Sequence, residues 1–218
     1  MTPSSDALMP APIASAPRTA IRIGVILAAW FAVIVWAGVA GVFVSGPARP
    51  PLPLLAALVI PPALFALAYN TTRRVRAWAL NLDLRVLTAI EAWRVIGGVF
   101  LAFYAYDLLP GIFAWPAGIG DMAVGVAAVF VLRAMLRGAP NWRHSVLWLN
   151  IAGLVDFVGA IGTGALMSNS ALGLLNDGSP RIELGELPLS LIPAFAVPFW
   201  IILHMISLLQ LARLRRGV

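Results

Sequence analysis

Six apolar stretches run through the chain, at residues 23–44, 52–69, 86–106, 116–136, 142–167 and 188–211, separated by polar or Pro-rich segments. A helix needs roughly 20 apolar residues to cross a bilayer, and in lipid a backbone must satisfy its own hydrogen bonds. The expected fold class is therefore all-α: a polytopic transmembrane bundle of six spans. Of the 218 residues 61% are hydrophobic and 11% charged, against about 25% charged in soluble domains. So few charges cannot cover a globular surface, which makes the lipid bilayer the first expected partner. Residues 21–216 read as one six-span membrane domain. Residues 1–20, rich in Pro, Ser and Ala, read as a disordered cytoplasmic tail. The first run exceeds the roughly 7–15 residues of a signal-peptide core, so it reads as an uncleaved span.

Orientation follows from arginine. The net charge is +6, there is no Lys, and the Arg residues gather at span ends. With six spans, Arg18, Arg22, Arg73, Arg74, Arg76, Arg85, Arg133, Arg137, Arg143, Arg213, Arg215 and Arg216 fall on one side, and Arg49 and Arg181 on the other. Twelve against two is the positive-inside pattern, which puts both termini in the cytoplasm. The expected location is a bacterial inner membrane. A basic balance arranged this way is a topology signal, so no nucleic acid is expected as a partner. Trp115 and Trp142 fall where interfacial anchors belong, and residues 78–86 read as an amphipathic segment along the interface. Pro61-Pro62 in the second span predicts a kink packed against neighbours or, as the sharper reading, a broken helix lining a site, and Pro188, Pro193 and Pro198 in the sixth predict a second break with freed carbonyls.

Several chemistries are excluded by what is missing. Without Cys there are no disulfides, thiolate metal sites or thiol nucleophiles, and without Lys no Schiff base. There is no His-Glu-x-x-His, Gly-x-Ser-x-Gly, Walker loop or Asp-rich diphosphate motif. No metal and no cofactor are expected. An enzyme here would have to work with carboxylates, Arg and His alone, and the balance points away from one.

Five ionisable residues fall inside spans: Glu91, Arg94, Asp121, Asp156 and His204. An Asp at the centre of a span costs roughly 2.5–3.5 kcal/mol on insertion scales, so such groups face the bundle interior and have partners. The two Asp residues close matching lines: Ala117-Gly118-Ile119-Gly120-Asp121 recurs 35 residues later as Ala152-Gly153-Leu154-Val155-Asp156. Each sits in a row of small residues four apart: Ala117, Asp121, Gly125, and Ala152, Asp156, Ala160, Gly164. Four apart is one helical face. A polar turn near residues 137–143 joins the two runs into an antiparallel hairpin. Both carboxyls then lie roughly 20 Å from the turn, at one depth, and the small rows are expected to bring them together. Glu91 and Arg94 are three apart and are expected to pair with each other. Asp121, about a turn and a half into a span that starts at Pro116, is expected to gain from the helix dipole. His144, beside Arg143 at a helix start, reads as interfacial, which sets aside a bis-His haem site.

These residues support three function classes. The leading one is a small transporter- or channel-like bundle that binds a proton, a cation or a small cationic solute at Asp121 and Asp156, with Glu91, Arg94 and His204 beneath. The second is an accessory or scaffold subunit of a membrane complex, or a homo-oligomer, whose polar groups fix helix packing. The third is an intramembrane enzyme acting on a lipid-like substrate, with one Asp as general acid and Arg94 holding an anionic head group.

Overall fold

A computed structural model describes residues 17–47, 49–178 and 182–215. Most of the expected tail, together with Arg181 and Arg216, lies outside the described residues. Helix α1 runs Pro17–Val39, α2 Leu52–Thr71, α3 Arg73–Leu80 and α4 Leu84–Glu91. A 3-10 segment, Ala92–Gly98, joins α4 to α5 (Val99–Ala105). Then come α6 (Gly111–Leu136), α7 (Trp142–Leu166), a wide π-type turn at Ile192–Ala196, and α8 (Val197–Arg215). Six of these helical stretches are long and apolar enough to cross a membrane among the described residues: α1, α2, α4 to α5, α6, α7, and the last from Ile192. The expected all-α bundle of six membrane-spanning helices is what forms.

Helix ends explain most departures from the expected span limits. The first span stops at Val39 rather than at residue 44, because Gly41 turns left-handed at φ 68°. The Val42 N–H then donates back to Ala37 O at 2.9 Å, and that of Gly41 to Gly38 O at 3.0 Å, the paired bonds of a Schellman stop. Asp107 (φ 56°) ends the third span in the same way, with Leu108 N–H on Phe103 O at 2.8 Å. Gly138 (φ 64°) makes the turn of the α6–α7 hairpin. The fourth span begins at Gly111, so Pro116 lies inside it rather than at its start. Asp121 is then ten residues into the helix, beyond the first turn where the dipole acts, so the expected gain from the dipole does not arise.

The helix breaks are also redistributed. Helix α2 runs unbroken through Pro61 and Pro62. The sixth span does open with an irregular turn, at Ile192–Ala196, but begins after Pro188. The break that sequence reading missed is in the third span, where Ala92–Gly98 tightens to 3-10 geometry. Trp142 is not an interfacial anchor: it is 6% exposed and packs with Leu84, Leu87, Met135, Val146, Leu203 and Ile206. This apolar cluster fills the bundle toward its Arg-rich end. A second cluster, with Phe100, Leu109, Phe113 and Leu189, lies toward the other end. The polar residues sit between the two.

Candidate functional site

The site begins with the tight segment of the third span. A Cβ on Gly125 of α6 would lie 2.6 Å from Val95 N and 3.1 Å from Ala92 O, and one on Gly118 would lie 2.8 Å from Leu101. Only glycines let these backbones come so close. Gly125 of the small-residue row, with Gly118 beside that row, therefore seats the third span, while Gly120 of the same helix faces Asp156 of α7. The close seating carries Arg94 into the middle of the bundle.

Arg94 is 1% exposed, and its three nitrogens address three other helices. Nε donates to Asp121 Oδ1 of α6 at 2.8 Å. Nη2 donates to Asp156 Oδ2 of α7. Nη1 faces His204 Nε2 of α8 at 3.3 Å. The flat face of the guanidinium lies 3.9 Å from the Phe157 ring centroid, a stacking contact that Arg favours. One side chain thus joins four spans.

The expected Glu91–Arg94 ion pair is present but long, and Arg94 makes closer contacts elsewhere. Glu91 Oε2 is 4.0 Å from Arg94 Nη1, too far for a hydrogen bond. Arg94 spends its short bonds on the two Asp residues instead, because α6 and α7 flank the 3-10 turn while Glu91 lies back along its own helix. Glu91 is 3% exposed, and its Oε2 has no hydrogen-bond partner. The nearest basic atom besides Arg94 is His204 Nε2, at 3.5 Å.

His204 is fully buried, and its tautomer can be derived. Asn150 Nδ2 donates to Val146 O at 2.7 Å, which leaves Asn150 Oδ1 against His204 Nδ1 at 2.8 Å. An amide oxygen only accepts, so Nδ1 carries the hydrogen. In the neutral ring Nε2 then offers its lone pair to Arg94 Nη1.

Three glycines make the room. A Cβ on Gly97 would collide with the Asp121 side chain, one on Gly120 with the Asp156 carboxylate, and one on Gly153 would stand 2.6 Å from both Arg94 Nη1 and His204 Nε2. Gly120 and Gly153 belong to the repeated lines that end in the two Asp residues. The repeat is thus a packing device as well as a charge device.

A cavity of about 320 Å³ reaches the site from one end. Its rim includes Asn169 and Gly178, both exposed, and it runs inward past Leu58, Phe113 and Phe157 to Asp121. Asp121 and Glu183 are the charged residues among its described lining; the rest is mainly apolar. Toward the Arg-rich end the Leu87, Met135, Val146 and Ile206 cluster closes the bundle.

All five predicted residues, Glu91, Arg94, Asp121, Asp156 and His204, therefore meet in one cluster, and the two Asp residues meet through Arg94. His144 is exposed and far along α7 from the cluster. Sequence reading missed Asn150 and Phe157. Asn150 was legible as an amide inside an apolar run; Phe157 carried no signal among so many aromatics.

The family described as a domain of unknown function (DUF8737) matches residues 51–212, from just before α2 to near the end of α8, so it contains every residue of the cluster. No curated protein and no solved structure matches the chain.

Proposed function

Starting from the DUF8737 family, to which this chain belongs, we propose that the protein binds a small organic cation with an apolar body, taking it up from the Arg-poor side toward Asp121. One observation carries this reading. Asp121 is bonded to a fully buried Arg94 on one side and lines the inner part of a mainly apolar cavity on the other. The cavity is at the small end of the roughly 300–1,000 Å³ typical of small-molecule sites. Its apolar walls suit a hydrocarbon body. Its described charges, Asp121 and Glu183, are both acidic, which suits a cationic head. With both termini cytoplasmic, the cavity is an outward-facing one. The apolar cluster on the Arg-rich side is then the gate that a transporter of this class must open.

The test is calorimetric titration of the purified full chain in detergent with benzyltrimethylammonium, and with neopentylbenzene, its neutral isostere. The cation should bind and the neutral compound should bind much more weakly. A quaternary ammonium donates no hydrogen bond, and its Coulombic attraction to a carboxylate is about 4 kcal/mol at about 4 Å and an effective dielectric of about 20, before desolvation, so Asp121→Asn should weaken the cation about 10- to 100-fold. Equal binding of both compounds, or binding untouched by Asp121→Asn, would overturn the reading.

A further inference from the structure

The cluster holds more acid than base. Three carboxyls, Glu91, Asp121 and Asp156, surround one guanidinium, and Arg94 bonds only two of them. The third has a buried, unpartnered oxygen 4.0 Å from Arg94 Nη1. A buried carboxylate oxygen that accepts no hydrogen bond is unfavourable, so a neutral Glu91 suits this arrangement. A cation arriving at Asp121 competes with Arg94 Nε for that carboxylate. Arg94 then has a second acceptor within reach. Shortening its contact with Glu91 by about 1 Å makes a charge-assisted hydrogen bond, provided that Glu91 is ionised.

We propose that Arg94 is a movable counter-ion and that Glu91 releases one proton when a cation binds at Asp121. The reading rests on the cation site proposed above. In the step, the cation pairs with Asp121, Arg94 leaves Asp121 and pairs with Glu91, and the Glu91 O–H bond breaks. The proton goes to solvent, with His204 Nε2 as its first acceptor. One positive charge enters and one leaves, so the charge of the buried cluster is unchanged. The groups facing Glu91 agree with this exchange: Arg94 from its own span, His204 from α8, and Asp121 and Asp156 from α6 and α7 by way of Arg94. Gly153 lets Nη1 and His204 come close to α7, where a Cβ would stand 2.6 Å from each. Asp156 stays bonded throughout and acts as the pivot.

Proton release is read by titrating benzyltrimethylammonium into the wild-type full chain in two buffers of different ionisation enthalpy, phosphate and Tris, at one pH. The difference in observed heat gives protons released per cation bound. About one is expected. Binding with no buffer dependence overturns the exchange while leaving the cation site intact. Absence of binding overturns the cation site itself, and the exchange with it. Glu91→Gln should bind the cation with no proton released. If that variant still releases one proton, the assignment to Glu91 is wrong. Should it fail to fold, the wild-type comparison between buffers decides alone.

Discussion

Arg94 Nε and Asp121 Oδ1 lie 2.8 Å apart, from spans separated by 27 positions in sequence, and the same Asp121 side chain lines the cavity. The bond therefore has a buried side and a side open to a ligand. Arg94 orients the carboxyl from the buried side; the cavity decides what reaches it from the other.

Arg94 should be coupled to the two Asp residues more strongly than to Glu91. Arg94→Leu leaves buried carboxylates unpaired and is expected to cost about 3–5 kcal/mol, read as a loss of thermal stability in detergent. Arg94→Lys should recover little of it, because an ammonium cannot address α6, α7 and α8 at once. In double-mutant cycles, Asp121→Asn and Asp156→Asn should each show a coupling of about 1–3 kcal/mol with Arg94→Leu. Glu91→Gln should show less. A larger coupling to Glu91 would restore the pair expected from their spacing of three.

The glycines separate by environment. Gly97→Ala, Gly120→Ala and Gly153→Ala each place a Cβ against Asp121, Asp156 or Arg94 and His204. Each should lower the melting temperature by several degrees, as a loss of about 1–3 kcal/mol does in overpacked sites. Gly159→Ala and Gly162→Ala lie on the same α7 with open space around them. These should be neutral or stabilising by up to about 1 kcal/mol. Equal effects in both groups would mean that the close approach at the cluster is not what those glycines provide.

Orientation can be read in a chain without native cysteine. Leu174→Cys and Tyr106→Cys sit at the cavity end and are 80% and 77% exposed in wild type. Both should react with a membrane-impermeant maleimide added to intact cells. Thr72→Cys and Asn141→Cys, at the Arg-rich end, should react only after the membrane is opened. The reverse pattern would turn the cavity toward the cytoplasm.

The bundle was legible because the apolar runs have membrane length and the Arg residues mark their ends. Depth was legible too: equal counts from the Gly138 turn put Asp121 and Asp156 at one level, where Arg94 reaches both. Facing was not. Glu91 and Arg94 still share a face, because 3-10 geometry stacks residues three apart, but the tightening after Glu91 brings Arg94 up against α6 and α7, where its short bonds go. That change follows from the seating of the third span on Gly118 and Gly125, a tertiary effect that no local pattern reports. At Pro61 and Pro62 the milder of the two readings, a bend within one helix, is the one compatible with α2. Those two prolines are the strongest break signals in the chain, yet α2 continues through them. The cavity was invisible as well, since helix residues such as Leu58, Phe113 and Phe157 and loop residues such as Ser45, Pro110 and Asn169, far apart in sequence, together form its walls.

A one-sided path from water to Asp121 is what cation uptake requires of this bundle. Ala160 lines the cavity, whereas Val158, two residues away on α7, is 72% exposed toward the lipid-facing surface. The measurement is the reaction of Ala160→Cys and Val158→Cys with a small cationic thiosulfonate, 2-(trimethylammonium)ethyl methanethiosulfonate, added to either side of sealed vesicles of known orientation. Ala160→Cys should react from the Leu174 side alone, more slowly when benzyltrimethylammonium is present, and Val158→Cys should stay unreactive. A cysteine at Ala160 that is silent from both sides, or equally reactive from both, would contradict a cavity leading from one face to the Arg94–Asp121 pair.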